Sequence, residues 1–183
     1  QAKKVTRDYR LYLEMASDGA FILSVLGGKI TTYRKLAEQA VAKLGSVLDI
    51  EKAAWTSTAP LPGGDVPGAD IDGFIEVTAH QFPWLPDNLL RRYTTSYGSR
   101  ISLLLDSATC LHDLGAQFGP GLYECEVRYL VTHEWARTAE DILWRRTKLG
   151  LHVDKPAAVR LQNWLNSNVV NQGLDIHASK GAA

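Results

Sequence analysis

The stretch FILSVLGGKITTYRKLAEQAVAKLG, residues 21–45, determines how the first part of this chain folds. It begins with an apolar run, residues 21–26, which only Ser24 interrupts and which is typical of a buried strand. Gly27 and Gly28 follow, and glycine permits positive φ or a close approach of another molecule to the backbone. The pattern therefore predicts a strand that ends in a glycine turn.

A helix is predicted directly after this turn. Thr31 and Thr32 are N-cap candidates because a threonine hydroxyl can accept a hydrogen bond from a free N–H of the first helical turn. Gly45 is expected to end the helix, whose apolar residues recur at helical spacing: Leu36, Ala37, Ala40, Val41 and Leu44. The N–H groups and positive end of such a helix suit an anion or a carbonyl that gains negative charge. Tight strand-to-helix corners also carry Gly-Gly for steric reasons alone, so the spacing leaves both interpretations open.

A second strand is predicted upstream, because polarity alternates from Thr6 to Met15 and a Ser-Asp-Gly turn signal follows at residues 17–19. The two strands are expected to form a hairpin that brings Arg7 toward Lys29. In this chain the hairpin has no predicted neighbouring strands, so part of its apolar surface is expected to lie exposed: Phe21, Ile22 and Val25.

Composition excludes several classes of protein. The 183 residues carry 20 basic and 20 acidic side chains, so net charge gives no argument for nucleic acid or an anionic membrane. No apolar run approaches the roughly 20 residues of a membrane-spanning helix. The two cysteines do not form a disulfide framework, which indicates a reducing, cytoplasmic location. The only methionine is Met15, so we expect a piece of a longer protein.

The rest of the chain is predicted to be mainly α. Residues 46–70 are rich in Gly and Pro and form the expected linker between a remnant of a larger α+β domain, residues 1–45, and an all-helical domain, residues 71–170. That domain should contain about five or six helices and no sheet of its own, with a flexible tail at residues 171–183. Its strongest helical stripe is expected to be buried: Tyr123, Val127, Leu130 and Trp135.

Other candidate sites carry weaker signals. The Cys110-x-His112 and His133-Glu134 pairs lack zinc-ligand spacing, so no metal site is predicted. The basic cluster Arg145-Arg146-x-Lys148 fits cations that complement the end of a helix dipole, although nucleic acid or anionic lipid stays open as an alternative.

Several blocks of sequence resemble the FAD-dependent glycerol-3-phosphate dehydrogenases. Upstream these are Thr6-Arg-Asp-Tyr9 and Ser24-Val-Leu-Gly-Gly-Lys-Ile-Thr-Thr-Tyr-Arg34. Downstream, in order, they are Leu61-Pro-Gly-Gly64, Tyr97-Gly98, Asp113-Leu-Gly115, His133-Glu-Trp-Ala136 and Leu143-Trp-Arg-Arg-Thr-Lys148. Leu26 and Ile30 stand where the family pattern has Phe and Leu, which are conservative differences. The resemblance covers the chain up to its tail.

The resemblance implies a flavoenzyme that oxidises sn-glycerol 3-phosphate to dihydroxyacetone phosphate, with hydride transfer to FAD and electrons passed to quinone. The family's dinucleotide fingerprint and its proposed catalytic base have no counterpart in this sequence, so no catalytic residue is expected here. The resemblance assigns the substrate phosphate to Arg7, and both substrate and flavin to Lys29. It assigns the remaining flavin contacts to the glycine turn and the start of the helix: Gly27, Gly28, Ile30, Thr31 and Thr32.

The implied partners are glycerol 3-phosphate, quinone and the N-terminal part of the same protein, with a homodimer left open and nucleic acid not expected. The parent is expected in the cytoplasm, with a peripheral position on the membrane left open. This segment alone should be inactive and bind FAD weakly or not at all. Two alternatives are a glycerol-3-phosphate oxidase that uses oxygen, and a helical protein-interaction module without redox chemistry.

Overall fold

The computed structural model describes residues 8–50 and 53–170. The chain divides into two compact units, Gln1–Pro60 and Leu61–Ala183. We refer to them as the hairpin unit and the helical unit. None of the helices in the described ranges is long and apolar enough to cross a membrane.

The hairpin unit begins with the two predicted strands. Strand β1 (Tyr9–Met15) pairs antiparallel with β2 (Phe21–Gly27), and the register places Tyr9 opposite Gly27. Helix α1 (Tyr33–Leu48) follows after a short 3-10 turn, Ile30–Thr32. The Nζ atom of Lys43 donates to the carbonyl of Leu11 over 2.7 Å and so ties the helix to β1. The predicted order of strand, glycine turn and helix is confirmed.

The hairpin unit has no buried side chain among its described residues. As predicted, Phe21, Ile22 and Val25 are exposed, at 44%, 53% and 44% of their surface. The reason is that β2 pairs with β1 alone, since their sheet has two strands in the described part of the chain. The apolar run is therefore a strand, as its composition indicates, but this chain does not bury it.

The expected end of α1 at Gly45 is wrong. The helix continues to Leu48, and Asp49 then takes the left-handed conformation, with φ of 53°. The chain turns back so closely that Ile50 donates its N–H to the Gly45 carbonyl, and a Cβ at Gly45 would lie 2.8 Å from the Ile50 carbonyl oxygen. Glycine is needed here because the returning chain touches the helix.

The helical unit contains most of the helices of the chain. They are α2 (Ile71–Gln81), α3 (Asp87–Tyr97), α4 (Ile101–Leu105), α5 (Glu124–Glu134) and α6 (Lys155–Leu165), with π-helical segments at Asp141–Arg146 and Asn166–Val170. Aspartate side chains cap two of the helices, since Asp70 accepts from the N–H of Gly73 and Asp154 from that of Ala157. The predicted mainly α class is confirmed.

The helical unit also contains a small sheet, contrary to the prediction of none. Strand β3 (Gln117–Gly119) pairs antiparallel with β4 (Leu122–Tyr123). Gly121 forms the turn between them, with φ of 72°. The prediction of no sheet is wrong because strands of three and two residues are too short for an alternating pattern to appear.

The predicted buried stripe of α5 is correct over its first part only. Val127 and Leu130 are fully buried and Tyr123 is partly buried, whereas Trp135 is 74% exposed. Helix α5 ends at Glu134, and Trp135 lies in the left-handed region with φ of 56°. Helical spacing no longer applies to Trp135, so its side chain leaves the stripe.

A charged network lies inside the core of the helical unit. The carboxylate of Glu126 has no solvent exposure and accepts hydrogen bonds from both terminal nitrogens of Arg92, at 2.7 and 2.6 Å. The hydroxyl of Tyr97 donates to the same carboxylate over 2.6 Å. Burial opposes the charge of Arg92, but its contacts with Glu126 raise the pKa of Arg92 above its ordinary value. This network joins α3 to α5.

Candidate cofactor and substrate site

The glycine turn has the backbone conformation that its sequence predicts. Gly27 and Gly28 both have positive φ, 80° and 107°. A Cβ at Gly27 would lie 2.8 Å from the carbonyl oxygen of Asp8, and one at Gly28 would lie 3.3 Å from Leu36 Cδ1. Both positions therefore favour glycine, for conformation and for space. The turn places the exposed face of residues 27–31 on the outside of the hairpin unit.

Thr32 closes the turn between Lys29 and α1. Its hydroxyl donates to the Lys29 carbonyl over 2.9 Å and accepts from the Lys29 N–H over 3.3 Å, while its own N–H donates to the same carbonyl. Thr32 stands at the N-cap position of α1, but its hydroxyl makes no capping hydrogen bond to that helix. Thr32 therefore stabilises the turn through the backbone of Lys29 and does not cap α1 as predicted.

Backbone donors of the turn belong to exposed residues. Ile30 and Thr31 open a helical turn, so their N–H groups have no acceptor within it. Ile30 is 88% exposed, and Lys29 and Thr31 are exposed as well. The start of the 16-residue helix α1 lies immediately behind them and contributes a positive helix end. Donors, a lysine and a helix end are thus brought together on one exposed surface.

Arg7, the predicted phosphate contact, lies outside the described residues. At this end of the hairpin the structure describes the pairing of Tyr9 with Gly27. The proximity of Arg7 to Lys29 therefore stays a prediction.

A polar cluster that was not predicted from the sequence supports the first turns of α1. Arg34 Nη1 lies 3.0 Å from Glu38 Oε1 and donates to the hydroxyl of Thr56 over 3.3 Å. The Thr56 hydroxyl donates in turn to Glu38, and this hydrogen bond lowers the pKa of the Glu38 carboxyl. The Arg34–Glu38 spacing of four residues is readable from the sequence. The contact with Thr56 is not, because the chain between them follows no periodic pattern.

Comparison with known proteins places the chain in a family. Residues 54–163 match the family described as the C-terminal domain of alpha-glycerophosphate oxidase. The chain belongs to this family.

Individual relatives extend the similarity to the hairpin unit. The chain is 45% identical to the aerobic glycerol-3-phosphate dehydrogenase of Escherichia coli over 161 residues, which are 88% of the chain and 32% of that protein. It is 46% identical to a glycerol-3-phosphate dehydrogenase of Pseudomonas aeruginosa over 163 residues, 89% of the chain and 32% of the relative. The D-erythritol 1-phosphate dehydrogenase of Brucella abortus is 43% identical over 167 residues, 91% of the chain and 33% of the relative. The chain thus spans about a third of the length of these relatives.

In this member of the C-terminal domain family, the basic cluster near residue 146 makes contacts within the helical unit. Arg145 pairs with Glu140 and Asp141, at 2.8 and 2.9 Å. Arg146 donates to the carbonyl of Glu134 from Nε and Nη2, at 3.1 and 2.9 Å, and Lys148 donates to the carbonyl of Trp144. These contacts favour the interpretation as cations at helix ends.

The histidine and cysteine pairs do not meet in space to form a metal centre. Across residues 8–50 and 53–170, no group of three His, Cys, Asp or Glu side chains is placed to hold a metal ion. His133 lies against the Tyr129 ring, with 5.0 Å between ring centroids. Burial, with a contribution from Arg100, lowers the pKa of His133.

Proposed function

We propose that this chain is the C-terminal third of a flavoenzyme that oxidises sn-glycerol 3-phosphate to dihydroxyacetone phosphate, passing a hydride to FAD and electrons on to quinone. The observation that carries the proposal is the turn at residues 27–32, where positive-φ glycines, free N–H groups and Lys29 share one exposed surface. The glycerol-3-phosphate dehydrogenases among its relatives supply the reaction class.

The residues of the turn fit a flavin. When bound, FAD supplies the hydride acceptor and gains negative charge as it is reduced. The N–H groups of Ile30 and Thr31 and the start of α1 would donate to the oxygen and nitrogen atoms at which that charge collects. Gly27 and Gly28 carry no side chain that would keep a flat ring from the backbone. Lys29 would stand beside both the ring and the substrate.

Arg7 is the proposed contact for the substrate phosphate. A guanidinium donates in a planar fork and pairs with a phosphate through two hydrogen bonds, which suits the recognition of a phosphomonoester. Since quinone is lipid-soluble, we place the parent protein in the cytoplasm at the membrane surface. An exposed apolar face of the hairpin, with Phe21 and Val25 on it, would be covered by the N-terminal part of the same protein.

The relatives favour one further candidate substrate. The D-erythritol 1-phosphate dehydrogenase of Brucella abortus is almost as similar to this chain as the glycerol-3-phosphate dehydrogenases are. A phosphorylated polyol with a longer carbon chain is therefore the second candidate. An oxidase that uses oxygen remains the alternative for the electron acceptor.

The test uses the full-length parent protein and single-turnover reduction of its flavin by glycerol 3-phosphate. Lys29→Ala should slow flavin reduction, whereas Lys35→Ala, at an exposed lysine of α1, should leave it unchanged. Arg7→Ala should raise the KM for glycerol 3-phosphate by about one to two decades, because a charge-assisted hydrogen bond is worth roughly 1.5–3 kcal/mol. Reduction by erythritol 1-phosphate in the same assay separates the two substrates.

Three outcomes would contradict the proposal. An unchanged rate in Lys29→Ala would remove that residue from the flavin site. If Arg7→Ala impaired the reaction with glycerol 3-phosphate and the reaction with glycerol, which carries no phosphate, to the same extent, Arg7 would not be the phosphate contact. A parent protein without flavin absorbance would leave the helical interaction module as the better reading.

A further inference from the structure

A cavity of about 700 Å³ lies within the helical unit, at a place to which four separate sequence blocks converge. Its lining includes the loop residues 62–64, the Tyr97-Gly98 corner, residues 133–135 at the end of α5, and Arg146. Small-molecule sites typically have volumes of about 300–1,000 Å³. The flavin site proposed above does not use any of these residues.

The wall between two of these blocks is made of backbone packed against backbone. Ser99 donates its N–H to the Gly63 carbonyl over 3.2 Å. A Cβ at Gly98 would lie 1.9 Å from the same carbonyl oxygen, and one at Gly63 would lie 2.3 Å from the carbonyl of Tyr97. Since backbone cannot move aside as a long side chain does, this wall gives the cavity a fixed shape.

Arg100 lines the cavity, and its positive charge acts on three neighbouring groups: Asp65, His133 and Glu134. Across residues 8–50 and 53–170 its half-buried guanidinium makes no hydrogen bond and no ion pair. The two carboxylates that feel this charge make their direct contacts with other residues: Ser99 donates to Asp65, and Arg146 lies 3.8 Å from Glu134. An arginine offers five N–H donors, and since no described residue accepts from those of Arg100, they have capacity for the oxygens of an anionic ligand.

Trp135 stands in the lining of the cavity at a cost to the fold. It is a non-glycine residue in the left-handed region, which costs about 1–2 kcal/mol. Its indole is 74% exposed, although glycine at this position would avoid both the strain and the exposed apolar surface. An outlier of this kind next to a cavity points to use of the ring by a ligand.

We propose that this cavity binds a soluble, phosphate-bearing small molecule, with Arg100 pairing with the phosphate and Trp135 lying against an apolar or planar part of the ligand. A phosphate suits Arg100 because its several oxygens accept from the planar fork of donors. The concave shape favours a soluble ligand over a lipid surface. This inference rests on the helical unit alone and is independent of the proposed flavin site.

The test uses the full 183-residue chain and phenyl phosphate as the probe, followed by ligand-observed phosphorus NMR at constant ionic strength. Phenyl phosphate should bind saturably and more tightly than inorganic phosphate. Arg100→Gln should raise the Kd for phenyl phosphate at least about tenfold, the loss expected for one charge-assisted contact. Arg145→Gln is the matched control because Arg145 lies beside Arg146 but outside the cavity lining, and it should bind as the unaltered chain does.

Further variants separate the two halves of the proposed site. Trp135→Ala should reduce the affinity for phenyl phosphate to that for inorganic phosphate, and Trp135→Phe should retain most of the difference. Arg100→Gln should keep the thermal midpoint within about 2 °C, since no bonded partner is lost. A retained midpoint shows that lost binding comes from the site and not from unfolding.

Four results would overturn the proposal. The first is an absence of saturable phenyl phosphate binding to the unaltered chain, and the second is an equal Kd for Arg100→Gln and the unaltered chain. The third is benzoate that binds as tightly as phenyl phosphate. The fourth is flotation of the chain with phosphatidylglycerol vesicles from which phenyl phosphate does not release it. The third would assign the site to carboxylates and the fourth to a membrane surface.

Discussion

Replacement of Arg92 by methionine tests whether the buried charged network holds α3 against α5. In the structure Arg92 supplies two hydrogen bonds to Glu126, at 2.7 and 2.6 Å, and a third to the carbonyl of Gly121. Methionine fills the space of the stem but leaves the Glu126 carboxylate buried beside only one donor, the hydroxyl of Tyr97. Breaking a buried pair in this way costs about 3–5 kcal/mol, because an uncompensated charge remains.

Urea unfolding of the full chain, followed by circular dichroism at the helical band, measures this loss. Thermal unfolding followed at the same band gives a second measure: a cost of 3 kcal/mol should lower the thermal midpoint of a unit of this size by roughly 10 °C or more. Arg91→Met is the control, since Arg91 is the exposed neighbour on the same helix and should change the free energy of unfolding by less than about 0.5 kcal/mol.

The double variant Arg92→Met with Glu126→Gln separates lost charge pairing from lost packing. Glutamine is neutral and still accepts from the Tyr97 hydroxyl, so the double variant should recover at least about 1 kcal/mol relative to Arg92→Met alone. The reasoning would be refuted if Arg92→Met cost less than about 1 kcal/mol, or if the double variant lost as much as both single variants together.

Three further predictions concern the two units. Gly63→Ala should destabilise the helical unit far more than Gly68→Ala does, because both have positive φ but only Gly63 faces a carbonyl, at 2.3 Å; urea midpoints of the two variants decide this. Burial raises the pKa of Cys125 to about 12 and also raises the pKa values of Tyr93 and Tyr97, so the folded unit keeps protons that the unfolded chain releases. The free energy of unfolding should therefore be steady below about pH 9 and fall as pH rises beyond it, by up to about 1.4 kcal/mol per pH unit for each group, and equal urea midpoints at pH 8 and pH 10.5 would contradict this. Finally, the chain alone should not bind FAD at micromolar concentrations in a flavin-fluorescence titration, because a few exposed hydrogen bonds of about 0.5–1.5 kcal/mol each do not offset the cost of association.

Local patterns predicted the hairpin unit well. The apolar run, the Gly27-Gly28 turn and the spacing of α1 depend on interactions between residues near in sequence, which periodicity records. The end of α1 was mispredicted because Gly45 serves a contact with Ile50, a chain reversal that the pattern of the helix does not contain. Glycine marks a close approach as readily as a helix end.

The helical unit shows where periodicity fails. Trp135 fits the stripe of α5 by number, yet the helix ends one residue earlier, and a left-handed tryptophan has no sequence signature. Glu126 lies fully buried because Arg92 and Tyr97 satisfy it from another helix, and such a partnership is set by tertiary packing. From the sequence, the residues that line the cavity are visible only as separate blocks. Their convergence depends on how α3 and α5 pack.

The buried residues that stabilise this chain and the residues proposed to contact the flavin lie in different units. The buried hydrophobic residues all lie in the helical unit, whereas the described part of the hairpin unit has none. Ordering one residue costs about 1–2 kcal/mol in backbone entropy, and full burial of an aliphatic or aromatic side chain returns about 1.5–3 kcal/mol. A hairpin and a helix without such burial cannot offset that cost from their own contacts. The turn around Lys29 therefore needs apolar surface from outside the hairpin unit to be held rigid, and rigidity is what a donor array at a flavin requires. This dependence gives the physical reason why FAD binding should appear in the parent protein and not in this chain alone.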